Sequence, residues 1–317
     1  YEAGYYATTS SGNVAIGYRA LKGSTASNWT NPNTAIGYTA LTANTTGAYN
    51  TAIGQNALAA NTTGSASVAI GTFALQNSTT GSNSAVGYNA LATCTTCGSN
   101  AAFGNSALAT LSNGQDNTAF GNSSQQLGTT AGSNASFGYA SLLTNKTGTN
   151  NTALGNDSMR YLNNATSSVA IGSGALAGVS GDLATNYNNV AIGYRAGYIM
   201  GTGANNNTLI GYQAGNALTT GANNIVLGYD IDAPSNTASN QLTIGNLIYG
   251  TGLDGTDTTV STGSIGIGTT TPSARFAVTG AGVGTGRLVS FANSSNVESF
   301  SLLDNGAFRL TTNGIQV

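Results

Sequence analysis

A four-residue phrase, [T/V/S]-A-[I/V/F/L]-G, sets the frame for the whole chain. Its glycine falls at Gly17, Gly37, Gly54, Gly71, Gly87, Gly104, Gly121, Gly138, Gly155, Gly172, Gly193, Gly211, Gly228 and Gly245, and most intervals are 17 residues. The departures, 20 before Gly37, 16 before Gly87, 21 before Gly193 and 18 before Gly211, leave the phrases intact on both sides. They therefore read as loop insertions and deletions, with Trp29 and Pro32 in the first and residues 181–187 in the third. A 17-residue period is too short for a helical-hairpin repeat, which needs more than about 30 residues, but it suffices for one coil of a narrow β-solenoid. Coils stacked about 4.8 Å apart make a rod on the order of 60–70 Å long. The expected fold is all-β: a β-solenoid or β-roll of about fourteen coils over residues 1–250, a Gly/Thr-rich connector over 251–271 and a small β module over 272–317.

Within one coil, period-2 alternation predicts an inward large residue in the phrase: Ile16, Ile36, Ile53, Ile70, Val86, Phe103, Phe120, Phe137, Leu154, Ile171, Ile192, Ile210, Leu227 and Ile244. The preceding Ala and the repeat glycines, among them Gly37, Gly54, Gly71, Gly104, Gly121, Gly138 and Gly155, then lie on the opposite face. Because those places hold no Lys or Glu, that Ala/Gly face is expected to pack on another chain or another sheet. Leu21, Leu41, Leu58, Leu75, Leu91, Leu108, Leu142 and Leu176, four residues after the glycine, are expected to close the core. Gly47, Gly64, Gly81, Gly98 and Gly148 are expected at positive-φ corners, and Asn44, Asn61 and Asn145 in turns or amide ladders. Tyr18, Tyr38, Tyr88, Tyr139, Tyr194, Tyr212 and Tyr229 follow the glycine, either as a stacked ladder covering the strand end or as an aromatic ligand row.

Chemistry-bearing residues are scarce. Only 6% of the chain is charged, histidine is absent, and the net charge is -2. No imidazole is present as base or metal ligand, and no basic field holds nucleic acid. Mean hydropathy is -0.03, and no apolar run approaches the ~18 residues of a membrane span. Cys94 and Cys97 form a lone CxxC; a second pair for zinc is missing, which leaves a small loop disulfide or two solvent-facing thiols, with redox or metal roles as alternatives. Asp254 and Asp257, with Asp230 and Asp232 upstream, are the acidic concentration and the calcium candidates, although neither segment fits a known calcium-loop spacing. Residues 282–286 are glycine-rich but lack the Lys-Ser/Thr of a phosphate loop. No catalytic residue and no cofactor is expected.

After Gly245 the period fades. Arg275 to Val278, Arg287 to Phe291 and Ser299 to Leu303 alternate as strands, and Asp304-Asn305-Gly306 signals a tight turn into Phe308-Arg309-Leu310.

The Asn-Thr-Ala-Ile-Gly-Tyr-x-Ala-Leu units resemble the head repeats of trimeric autotransporter adhesins, whose Ser-Val-Ala-Ile-Gly phrases form a trimeric β-roll with a shorter period. Gly266 to Phe276 and Leu303-Asp304-Asn305-Gly306 resemble the shaft-end region of phage tail-fibre-like and bacterial surface fibre proteins. The resemblance implies a non-enzymatic, trimeric extracellular fibre with an adhesive role. Expected partners are identical chains, as a homotrimer or end to end with Tyr1 to Tyr6 as a contact, and surface glycans. A carbohydrate-binding tail fibre is the alternative, and an ice-binding protein the next. The outward row Thr34, Thr51, Val68, Ser84, Ala101 is too mixed for a flat threonine array.

Overall fold

A computed structural model describes residues 2–6, 12–23, 32–181, 185–280, 287–292, 298–303, 305–312 and 315–316; Tyr1, Trp29, Asp304 and the glycine-rich stretch 282–286 lie outside them. The chain is a β-solenoid. Fourteen three-residue strands, β1 to β14, mark thirteen turns: Val14–Ile16, Thr34–Ile36, Thr51–Ile53, Val68–Ile70, Ser84–Val86, Ala101–Phe103, Thr118–Phe120, Ala135–Phe137, Thr152–Leu154, Val169–Ile171, Val190–Ile192, Thr208–Ile210, Ile225–Leu227 and Leu242–Ile244. Each pairs in parallel with the next, in register, so Ala52 lies between Ala35 and Ala69, and Ile53 between Ile36 and Ile70. Among the described residues there is no helix.

Three residues cannot supply a coil's full complement of backbone bonds, and the remainder come from alternation of backbone handedness. The second and fourth residues after the glycine sit in the left-handed region, as at Thr39 (φ 52°) and Leu41 (φ 50°). The Thr39 N–H therefore donates back to Tyr18 O (2.8 Å), whereas the Leu41 N–H donates forward to Ala57 O (2.9 Å). A left-handed non-glycine residue costs about 1–2 kcal/mol. Full burial of the leucine at this place, in coil after coil, offsets that cost.

The core is formed by alanine and leucine. The alanine of the phrase (Ala35, Ala52, Ala69, Ala85, Ala102, Ala119, Ala153) has no solvent exposure, nor do Ala40, Ala57 and Ala74 or the leucine row. The large residue of the phrase points the other way, contrary to the expected phase. Ile16 is 58% exposed, Phe120 51% and Leu154 48%, and Ile36, Ile53, Val86, Phe103, Ile171, Leu227 and Ile244 are half-buried, with Ile70, Phe137, Ile192 and Ile210 exposed beside them. Alternation holds, but its phase is set by volume. The buried leucine packs across the coil from the phrase's alanine, and an isoleucine in the alanine's place would overfill that gap. The chain itself tests this rule: where the leucine becomes Gly215, the alanine opposite becomes Leu209, and a Cβ on Gly215 would lie 2.7 Å from Leu209 Cδ2. The alanine row is thus interior, and its lack of charge reflects core packing, whereas the repeat glycines from Gly37 to Gly211 are half-buried and crowded by the glycine of the next coil.

Two apolar clusters fill the rod, one ending at Ala119 and the other beginning at Leu142. Between them Ser124, Ser136 and Ser141 bond one another (2.7 and 3.0 Å), and Gln125 replaces the leucine. Gln125 Nε2 donates to Asn117 Oδ1 (3.1 Å), but its buried Oε1 has no partner. Gln125→Leu is expected to raise stability by about 1–2 kcal/mol, because a buried unsatisfied carbonyl is replaced by apolar volume. Chemical denaturation of both proteins measures the difference.

The ends differ. At the first coil, residues 2–6 continue the stack: the Gly4 N–H donates to Ala20 O (3.0 Å), and Glu2 pairs with Arg19 (2.8 Å) and Lys22 (2.9 Å). Hydrogen bonds from Lys22 and then Arg19 hold the Glu2 carboxyl below its ordinary range. At the other end the chain reverses at Gly245, and β15 (Ile248–Thr251) lies antiparallel on β14. β16 (Ser264–Ile267) and β17 (Phe276–Val278) extend that same sheet. The segment 251–271 thus carries a strand, and the first strand after it still belongs to the rod's sheet. A separate antiparallel sheet follows, with β18 (Arg287–Ala292), β19 (Glu298–Leu303), β20 (Phe308–Thr312) and β21 (Ile315–Gln316). The edge that β14 would offer a further parallel coil is occupied by β15.

Candidate functional surfaces

Three rows run along the rod. The first is the outward row of the phrase, Ile16 to Ile244. It is apolar at all fourteen places, spans about 60 Å and includes the stacked rings Phe103–Phe120 (centroids 4.8 Å apart) and Phe120–Phe137 (6.2 Å). The second is the glycine row. Each glycine from Gly37 to Gly211 has φ between 130° and 141°, and a Cβ on Gly104 would lie 2.4 Å from Gly121 O. The same holds at Gly54, Gly71, Gly121, Gly138 and Gly155, whose neighbours in the stack are again glycine backbone. The third is the tyrosine row, which is exposed: Tyr38, Tyr88 and Tyr139 are each more than half accessible. It stacks only where tyrosines are consecutive, as at Tyr18–Tyr38 (5.1 Å), Tyr194–Tyr212 (5.3 Å) and Tyr212–Tyr229 (5.0 Å). It is therefore a set of surface ladders interrupted at Gln55, Thr72, Asn105, Asn122, Asn156 and Ser173.

A further asparagine ladder, outside the sequence expectations, runs inside the coil. It occupies the place just before the phrase: Asn13, Asn33, Asn50, Ser67, Asn83, Asn100, Asn117, Asn134, Asn151, Ser168, Asn189, Asn207, Asn224 and Gln241. The Asn117 N–H donates to Asn100 Oδ1 (2.9 Å), and Asn117 Nδ2 donates to Ala131 O of the following coil (2.9 Å). The same bonds recur at Asn50 and Asn207. The signal lay in the recurrent Asn of Asn-Thr-Ala-Ile-Gly. Of the asparagines expected in turns or amide ladders, Asn61 and Asn145 take the turn role, each exchanging two bonds with the glycine three residues on (2.9–3.1 Å), and Asn44 Nδ2 donates to Gly47 O (3.0 Å). Gly47, Gly64, Gly81, Gly98 and Gly148 are not at positive φ; the left-handed residue falls one or two places later, at Tyr49, Ala66, Ser82, Ser99 and Asn150. Gly47 is required for space instead, since its Cβ would lie 2.3 Å from Gly64 O.

Cys94 and Cys97 occupy those two clasp positions in their coil. They form a buried disulfide with Cα atoms 5.6 Å apart, a covalent version of the Asn-x-x-Gly clasp. Closing so short a loop is worth about 2 kcal/mol. Cys94→Ser is expected to lose that amount, while the double change Cys94→Asn with Cys97→Gly recovers most of it by restoring the amide clasp. Thermal unfolding of the three proteins under oxidising conditions measures the order.

The acidic candidates do not converge on a cation. The Thr262 hydroxyl and then its backbone N–H (2.6 Å) donate to Asp254, which closes its loop and holds the carboxyl below the usual range. Asp257 is exposed at φ 49°. Asp232 Oδ1 accepts from the Ala217 N–H (3.0 Å). Among the described residues no group of three metal-ligating side chains gathers, and no helix is long and apolar enough to cross a membrane.

The stacked 17-residue coils, interior alanine and leucine rows and internal asparagine ladder define a β-solenoid repeat protein, a class consistent with β-roll repeats. Compared with known proteins, the chain matches no family model, no curated protein and no solved structure.

Proposed function

We propose that this chain is a non-enzymatic extracellular fibre subunit that associates laterally with identical copies, three around a common axis, and serves an adhesive role. The observation carrying this reading is the uninterrupted outward row of fourteen apolar side chains on an in-register parallel sheet. A soluble chain seldom leaves so long an apolar stripe in water. The occupant that fits is a second copy, because only a rod with the same spacing can place a ridge in every groove along about 60 Å. With a sheet face about 10 Å wide, each chain offers about 600 Å² and a pair about 1,200 Å², the lower bound of a stable interface. Three copies around an axis would enclose the Ile/Phe row together with the row that shares its face, Thr34, Thr51, Val68 and Ser84, and leave the polar corners of the coils in water. The association face is thus the Ile/Phe face, and lateral rather than end-to-end contact fits the occupied edge of β14.

Two features support an extracellular setting. The Cys94–Cys97 disulfide suits an oxidising compartment. Backbone ladders and buried amide rows also supply most of the order, with three ion pairs among the described residues, so little of the fold rests on screened charges. Sedimentation equilibrium tests the assembly: a mass of three chains is expected, and a monomer persisting at high concentration would overturn the reading.

A further inference from the structure

The few charges on the rod are not scattered. Along three consecutive coils, Asp157, Arg160 and Arg195 meet three tyrosines around a notch of about 130 Å³. The floor is the middle coil, where Ser173, Gly174 and Ala177 are small. The walls are the coils on either side, which carry bulky residues at the matching positions: Asp157, Arg160 and Tyr161 on one, Tyr194, Arg195 and Tyr198 on the other. The notch is therefore written in the sequence as one lean repeat between two full ones.

Its electrostatics are asymmetric. Arg160 Nη1 pairs with Asp157 Oδ1 (2.8 Å) and its guanidinium lies 5.0 Å from the Tyr161 ring centre, while the buried Arg160 Nε–H has no acceptor. Arg195 has no carboxylate partner among the described residues. Its guanidinium is held by two rings, 5.2 Å from Tyr194 and 4.7 Å from Tyr198. Two guanidiniums against one carboxylate leave a positive notch on a chain of net charge -2. Arginine fixed by aromatic stacking presents its planar N–H donors to a carboxylate with little entropy left to lose. Tyrosine rings and hydroxyls alongside suit the C–H face and hydroxyls of a sugar. The volume is well below the roughly 300 Å³ and upward of an enclosed small-molecule pocket. It fits one ring of a longer polymer lying across the flank of the rod.

We propose that this notch binds a single carboxylate-bearing sugar residue, a uronate, within an acidic polysaccharide. Arg195 takes the carboxylate, Tyr194 and Tyr198 pack the ring, and Gly174 leaves the space. The site gives the adhesive part of the proposed function a ligand class, and it does not depend on lateral association.

Isothermal titration with a glucuronic-acid oligosaccharide tests the site, with a neutral glucose oligosaccharide and inorganic sulfate in parallel. The uronate oligomer is expected to bind, and the neutral oligomer and sulfate to bind at least about tenfold more weakly, the worth of a charge-assisted pair or of the ring contacts. Arg195→Gln is expected to reduce uronate binding by a similar factor. Gly174→Asn should do so by filling the notch without unfolding it, because Asn56 and Asn89 hold the same place in their coils at φ 56° and 58°. Equal binding of the neutral oligomer, equal binding of sulfate, no binding, or full binding by both variants would each overturn the proposal. Sedimentation of the same samples keeps the two readings separate: a trimer without uronate binding overturns only the site, and uronate binding by a monomer overturns only the assembly.

Discussion

Gly104→Ala, a change of one methyl group at a position with no polar function, is expected to destabilise the rod by about 3 kcal/mol or more. Two costs add. At φ 136° the backbone lies where only glycine is at ease, which costs an L-residue about 1–3 kcal/mol. The new Cβ would also sit 2.4 Å from Gly121 O and 2.6 Å from Gly121 C, so the following coil must move away and weaken the Ser84–Val86, Ala101–Phe103 and Thr118–Phe120 ladders around it. Because each coil touches only its neighbours, the damage should be local. Hydrogen exchange should show lost protection in coils near Gly104, with amides near Gly211 unchanged. A stability within 0.5 kcal/mol of the parent, on the order of an ordinary surface change, would mean that the stack has slack the geometry does not show.

The second large effect separates inside from outside at adjacent residues. Ala119 has no exposure and Phe120 is 51% exposed. Ala119→Leu inserts a large side chain between Ala102 and Ser136 in a filled layer, and should cost about 2–3 kcal/mol or prevent folding. Phe120→Glu removes an aromatic residue from the outer face and should change the stability of the isolated chain by about 1 kcal/mol or less. The charge lies mid-row between Phe103 and Phe137, so it should abolish lateral association, since an unpaired carboxylate would be buried there. Denaturation at low concentration reads the first effect and sedimentation the second. If Phe120→Glu unfolds the chain while Ala119→Leu is tolerated, the aromatic row lies in the core and the assigned phase is wrong.

Much of the fold was legible because the repeat is nearly exact. The spacing of Gly37, Gly54 and Gly71 implied coils, the coil length implied a single narrow core, and the leucine four places on proved to be its large residue. The antiparallel pairs after residue 286 follow the alternation and the Asn305-Gly306 turn. What misled was the rule that the larger apolar residue faces inward. It placed Ile53 in the core and Ala52 at an interface, whereas the space between the coil walls requires the reverse. The glycines at 47, 64 and 148 were read as conformational signals when crowding by the next coil explains them.

The notch at Gly174 could be read from the sequence only after the fact. Asp157, Arg160, Arg195 and Tyr198 are separated by up to 41 residues and look like scattered surface positions until two 17- to 21-residue steps stack them. The buried ladder from Asn13 to Gln241 was likewise present as a repeated letter, but a repeated polar residue next to an apolar phrase reads equally well as a turn.

By itself the sequence determined the unit: a 17-residue coil, parallel and in register, because a periodic chain with glycine at a fixed place has one way to lay identical backbone on identical backbone. Only the tertiary structure decided which side of that coil is inside, since alternation fixes that neighbours oppose but not which of them faces the narrow interior. That single binary choice, settled by the volume left for Leu58 beside Ala52, turns the Ile and Phe rows outward and makes them a surface.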